Sequence, residues 1–321
     1  MPPFQSHFAG SSRDTQVAWM DSPVEGLSYA PLAARNSAES RHALTIDLED
    51  WQQSVYDGSL PVSDRFHHGT DRILGILDRH GVKATFFVLG NVAEHSPDLV
   101  RRLQRCGHEL QTHGYDHTEI GRRTPRQFRE DVVRARSILE DLLGEPVTGY
   151  RAPRFSITGS TAWALDVLAD EGFRYDSSIF PLRVRGYGIG GWCPAPHRIR
   201  TRCGAELIEV PVATVTVFGR RLPVGGGGYF RLLPYRLIRR ALRQIERVGQ
   251  PAVIYCHPHE FDPDGVWETP FRVPLRQRLH QGLGRGSFTR KIERMVRDFA
   301  FGPVSGLLPP SVARSLPPRV T

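Results

Sequence analysis

The chain has 321 residues, of which 40% are apolar and 24% charged, a balance that suits a globular protein with a sizeable core. Its formal charge of +8 favours anionic partners. The excess is arginine scattered over helical stretches, with no basic block interleaved with aromatics, so no nucleic-acid partner is expected. The four cysteines, Cys106, Cys193, Cys203 and Cys256, form no C-x-x-C pair, which argues against a zinc knuckle or a thioredoxin-like motif. Free thiols are expected, although Cys193 and Cys203 could meet across a loop. The N-terminus lacks a basic start followed by an apolar run, and no apolar window reaches membrane-spanning length. A cytoplasmic location follows as the expectation, with room for peripheral membrane association through the basic surface.

Residues 1–40, rich in Ser, Ala, Pro and Gly, read as a flexible lead-in. The folded part is expected from "RHALTIDLEDW", whose apolar run ending in acids has the form of a buried strand with function at its C-terminal end. Strand and helix signals then alternate. Helices are predicted over 70–81, 96–107, 124–144, 160–172 and 235–249, most opened by Ser-Pro or Thr-Pro or closed by glycine. Strands are predicted over 83–90, 108–113, 147–155, 174–180 and within 251–263, with 206–219 extended. The stretch 183–206 reads as loop, and the glycine run 225–228 as a rim loop, since it lacks the Lys-Ser/Thr of a phosphate-binding loop. Repeated β-then-α order implies an α/β fold with a parallel sheet. Acids and histidines at successive strand ends favour a barrel with its site at the C-terminal rim.

Five stretches carry chemistry. In "LQTHGYDHTEIG", His113 and His117 stand four residues apart on a loop after a strand, a spacing suited to a divalent metal. "TIDLEDW" offers Asp47, Glu49 and Asp50; alternation along a strand puts Asp47 and Glu49 on one face. One carboxylate could complete a His/His/carboxylate site with open positions, and another could take a proton from water. Arg151, in "GYRAPRFS", can hold a neighbouring carboxylate such as Asp47 ionised and aligned. His257, ending the strand of "VIYCHPHEFD", could protonate a departing amine, with His259 in support. Asp176, in "YDSSIF", could hydrogen-bond a histidine and set its tautomer. Trp51, Trp192 and Tyr229 could stack on sugar rings or pack in the core.

Together "TIDLED", "HGYDH", "RAPRF", "DSS" and "IYCHP", in this order, resemble the polysaccharide deacetylases, the NodB-homology domain of carbohydrate esterase family four. The resemblance spans 42–263, and the sequence after it resembles the short C-terminal extension of an exosortase-associated subgroup. It implies a distorted (β/α) barrel of about seven strands, a catalytic domain over 41–265, an extension over 266–302 packed on the barrel and a disordered tail over 303–321. It also implies a divalent metal, zinc by expectation, and hydrolysis of N-acetyl groups on an amino-sugar polysaccharide or its precursor. The roles implied are base for Asp47, metal ligands for His113 and His117, orientation of the base for Arg151 and acid for His257. The family's second aspartate is replaced here by Leu48, so the third ligand is Glu49 or Asp50, with Glu49 favoured. Pro153 and Phe155 of the arginine motif, Asp176, Trp51 and His259 would bind substrate or support the site. Two other readings remain: an allantoinase-like cyclic amidase acting on a small molecule, and a non-catalytic glycan-binding protein.

Overall fold

The computed structural model describes residues 18–32, 42–184 and 186–313. In chain order the strands are β1 (Met20–Asp21), β2 (Ser28–Pro31), β3 (His42–Leu48), β4 (Thr85–Val88), β5 (Glu109–Thr112), β6 (Gly149–Tyr150), β7 (Tyr175–Asp176), β8 (His197–Arg200), β9 (Glu206–Glu209), β10 (Thr214–Val217), β11 (Arg220–Pro223), β12 (Val253–Cys256) and β13 (Phe301–Gly302). The helices are α1 (Arg65–Arg79), α2 (Gly90–His95), α3 (Pro97–Arg105), α4 (Pro125–Leu143), α5 (Trp163–Asp170), α6 (Gly227–Leu232), α7 (Tyr235–Arg247), α8 (Leu275–Gly282), α9 (Arg285–Asp298) and α10 (Pro310–Ala313).

Strands β12, β3, β4, β5, β6, β7 and β9 pair side by side and in parallel, which matches the expected barrel wall of seven strands. The wall is nearly closed by irregular backbone rather than by a full ladder. The Ala213 N–H donates to the Val253 carbonyl (2.9 Å), and the Tyr255 N–H to the Gly225 carbonyl (2.6 Å). The glycine run is therefore part of the wall and not a rim loop, and α6 grows out of it. A Cβ on Gly226 would lie 2.0 Å from the Tyr255 carbonyl oxygen, so only glycine lets the two backbones approach this closely. All seven residues of β3 are buried, as befits a strand covered on both faces. Around the wall, α1, α3 and α7 bury apolar stripes in one core cluster, and α4 and α5 in a second.

The helix ends follow their sequence signals. α4 opens with a capping box between Thr124 and Gln127, and Gly144 closes it in the left-handed conformation (φ 65°). Other stretches differ from expectation. The short helix α2 precedes α3, and β8 occupies part of the stretch read as loop, pairing antiparallel with β9. Within the lead-in read as flexible, β1 and β2 extend the sheet beyond β8, because Val24, Leu27 and Ala30 supply apolar side chains that bury in its core. The rest of that lead-in lies outside the described residues. The tail read as disordered continues as a 3₁₀ turn, Val304–Leu307, and α10. Val304 and Leu308 bury against Ala43, Phe87, Tyr175, Ile208 and Val253 and fill the inside of the wall, which is what orders the segment. Residues 314–321 lie outside the described residues. All four cysteines are free, so Cys193 and Cys203 do not pair.

Candidate active site

The site gathers at the C-terminal ends of β3, β5, β6 and β12. Asp47 is the penultimate residue of β3, and Glu49 follows two positions later on the same side. Arg151 directly follows β6, and its guanidinium is fully buried. Its Nη1 donates to Asp47 Oδ1 and Thr45 Oγ1, each at 2.7 Å. Nε and Nη2 donate to the carbonyl (3.1 Å) and hydroxyl (2.8 Å) of Ser177, and the group lies 4.2 Å from the centre of the Phe87 ring. The arginine is thus held from every side, and one Asp47 oxygen is fixed by a charge-assisted bond while the other stays available. Three and four residues after it, beyond Pro153, the chain turns sharply; Arg154 and Phe155 both adopt positive φ (54° and 52°). Two consecutive non-glycine residues in that region are costly, and such strain concentrates at functional sites.

His113 sits one residue past β5. Its Nδ1 donates to the Arg151 carbonyl (2.8 Å), which fixes the tautomer and leaves a lone pair on Nε2. Burial, only partly opposed by the charge of Asp47, holds its pKa down to about 4, so the ring is neutral and able to ligate. Gly114 then turns the chain at φ 84°, and a Cβ there would lie 2.9 Å from the Asp131 carboxylate. That turn returns His117 to the site, with Nε2 2.8 Å from Glu49 Oε2. Glu49 Oε2 is buried, and this imidazole is its close polar neighbour. Burial disfavours the Glu49 charge, but the imidazoles of His117, His257 and His113 outweigh it and pull its pKa down to about 2. Ligand atoms of Glu49, His113 and His117 all lie within 4.8 Å of one another. The neutral His113 imidazole, the His117 imidazole and the ionised Glu49 carboxylate form a donor set that fits a divalent cation.

Asp50 does not join this cluster. Its side chain turns away, as strand-like alternation after Glu49 requires, and accepts from the backbone N–H of Ser63 (2.9 Å) and Gln52 (3.4 Å). It caps a turn and is removed from the candidate ligands.

His257 follows β12. Nε2 lies 3.9 Å from both Asp47 Oδ2 and Glu49 Oε1, while Nδ1 pairs with Glu260 Oε2 at 3.1 Å. Burial opposes its charge; the hydrogen bond to Glu260 and the fields of Glu49, Glu260 and Asp47 prevail and push its pKa up to about 9. Glu260 is the residue that sequence reasoning missed. It also accepts from the His257 backbone N–H (3.1 Å) and pairs with Arg231 (3.2 Å), so it orients the ring from behind. The spacing in "HPHE", an acid three residues after the histidine, was the available signal. Asp176, expected to orient a histidine, instead accepts from Ser178, through its hydroxyl and its backbone N–H, and shares a hydrogen bond with the buried Glu209. Burial raises both carboxyls, to about 6 for Asp176 and well above the usual range for Glu209. Glu209 faces His197 across the β8–β9 ladder, and among the described residues neither carboxyl reaches a histidine of the site.

His259 stacks on His257 with ring centres 4.8 Å apart, and its Nδ1 lies 4.0 Å from Glu49 Oε1. Burial and the charges of Arg285 and His257 keep its pKa well below the ordinary value, so the ring is neutral. Phe155 packs edge-on against Tyr255, which in turn meets His257 edge-on, so Phe155 and Pro153 back the site from within the core. Trp51 is 4% exposed and stacks toward Tyr56, and Trp192 is 1% exposed, so neither offers a face to a sugar. Tyr229 keeps an exposed face. Beside His117 a groove of about 240 Å³ opens, lined among others by Tyr56, Asp57, Asp116, Glu119, Arg122 and Arg154.

Comparison with known families meets this geometry. Residues 41–175 match the polysaccharide deacetylase family, and residues 177–309 match a domain of unknown function, DUF3473. Over residues 41–175 the chain is thus similar to the polysaccharide deacetylases. Among curated relatives, a peptidoglycan deacetylase-like protein of Gibberella zeae is 30% identical over 184 residues, covering 51% of this chain and 49% of that protein. A peptidoglycan deacetylase of Helicobacter pylori is 29% identical over 155 residues, covering 44% and 52%. The chain thus spans about half the length of these relatives. Among solved structures, one described as a polysaccharide deacetylase from Mycobacterium smegmatis matches with TM-score 0.57 at 20% identity over 87% of this chain and 93% of that one. The Puue allantoinase matches equally well, with TM-score 0.57 at 17% identity over 88% and 93%. These likenesses show the shared fold.

Proposed function

We propose that the protein is a metal-dependent N-deacetylase that releases acetate from acetamido sugars of a polysaccharide or its precursor. The observation that carries the proposal is the convergence, at one rim, of the Glu49–His113–His117 donor set with Asp47 and His257. The Arg151-bound carboxylate and the Glu260-bound imidazole stand 3.9 Å apart beside this donor set. A divalent metal held by the three ligands would acidify a water and polarise an amide carbonyl; the mixed nitrogen and oxygen set suits zinc. Asp47 has one oxygen aligned by Arg151 and takes the proton of the attacking water through the other. His257 Nε2, protonated through neutral pH, gives its proton to the departing amine. An acetamide and a water become acetate and a free amine, with both protons accounted for by these two groups. The buried, neutral His259 stacks on the His257 ring, and Tyr255, backed by Phe155, packs edge-on against it, which holds the ring in place.

The glycan class follows from the relatives, several of which are named for peptidoglycan or chitooligosaccharide deacetylation. The DUF3473 match accompanies exopolysaccharide-associated deacetylases and supports a role in exopolysaccharide biosynthesis. The allantoinase fold likeness does not separate the two chemistries, but an intact donor set beside an open polar groove favours the polymer substrate. The test is acetate release from N-acetylated oligosaccharides with and without a chelator, run beside a small cyclic amide. Chelator-sensitive release from the oligosaccharide supports the proposal; turnover of the cyclic amide alone would overturn it.

A further inference from the structure

A second surface, apart from the site, combines charge and exposed apolar residues in a way the proposed hydrolysis does not need. Along α7, Arg236, Arg239, Arg240, Arg243 and Arg247 line one groove of about 370 Å³. All five are exposed. Of these, Arg239 alone has a carboxylate within ion-pair reach among the described residues, Asp298 at 3.6 Å. The stripe next to them, at spacings of seven and four along α7 and its C-terminal cap, carries Leu237, Gln244 and Val248; Leu237 is 52% and Val248 65% exposed.

The hairpin of β10 and β11 lies against this face, because Gln244 Nε2 donates to the Thr216 carbonyl (2.8 Å). Two residues further on, at the hairpin tip, Phe218 is fully exposed and held at φ 48°. Arg220, also exposed, and the 45% exposed Leu222 follow on β11. A phenylalanine raised on a turn beside an arginine row has no partner in water. Arginines and an apolar wedge together match an anionic bilayer, where headgroup phosphates take the guanidiniums and the interface takes the ring. A purely polyanionic partner would account for the arginines but leave Phe218, Leu237 and Val248 unexplained.

We infer that the α7 face and the β10–β11 hairpin tip form a docking surface for an anionic lipid membrane. The inference does not rest on the deacetylase reading, since none of these residues belongs to the site. Each arginine at an anionic lipid surface multiplies partitioning by about fivefold, so the row is strong enough to hold the protein there.

The experiment is co-sedimentation of the full chain with phosphatidylcholine vesicles, with and without phosphatidylserine. Thermal unfolding checks that each variant is folded. The wild type should sediment only with the phosphatidylserine vesicles, and less so at high salt. A combined R236E, R240E and R243E variant should lose about tenfold or more in partitioning. Phe218→Ser should lose severalfold on vesicles while its binding to heparin, a soluble polyanion, is unchanged. No binding by the wild type would overturn the inference. So would full vesicle binding by Phe218→Ser, because the face would then be a polyanion surface only.

Discussion

Glu260 is the residue on which the acid role of His257 turns. With a folded pKa of about 9 against an ordinary 6.5, His257 stays protonated through neutral pH. Its contribution to stability is complete below about 6.5 and is lost as the pH rises through about 9. Glu260→Gln removes the anion that favours the imidazolium and should move the His257 titration, followed by NMR in metal-free protein, to lower pH. The alkaline limb of the rate profile should move the same way. An unchanged titration would show that Glu260 does not tune this histidine. Most of the site was legible residue by residue. Asp47, His113, Arg151 and His257 each end a strand, and strand ends at one rim must meet. Glu49 and Asp50 differ in orientation: alternation puts Glu49 on the side of Asp47, and Asp50 accepts from the Ser63 N–H. The orienting acid was misassigned because "YDSS" looks like a hydrogen-bonding loop in sequence, whereas the partner of Asp176 is Glu209, brought to it from β9 by strand pairing.

Elements with their own stop and start signals were legible for the same local reason that they form. Thr124 and Gly144 bound α4 in sequence and in space. Elements made by long-range contact were not. The glycine run carries no strand or helix propensity, yet it completes the wall beside β12, because small residues allow a backbone-to-backbone approach. Gly226→Ala would push a methyl group into the Tyr255 carbonyl and separate the wall at the strand that carries His257. Stability in denaturant should fall by about 2 kcal/mol or more, and acetate release should fall with it. Wild-type stability in this variant would show that the approach at Gly226 is not needed for closure.

At the scale of the whole molecule, segments at the two ends of the chain complete the core. A composition rich in proline, serine and small residues hid this in both. What matters is a few apolar residues placed where the sheet has an open edge or the wall an empty interior: Val24 and Leu27 on one side, Val304 and Leu308 on the other. Truncation after residue 302 removes Val304 and Leu308. Each buried side chain of this kind contributes about 2 kcal/mol, so the truncated chain should unfold at clearly lower denaturant, whereas a tail that only trails in solvent would leave the midpoint unmoved.

The most direct measurement is the metal content of the purified protein and of two variants, Glu49→Gln and Asp50→Asn, by elemental analysis after equilibration with zinc. The wild type and Asp50→Asn should retain a stoichiometric ion, and Glu49→Gln should lose most of it, together with acetate release. Retention of metal by Glu49→Gln, or a wild-type protein that binds none, would contradict the site described.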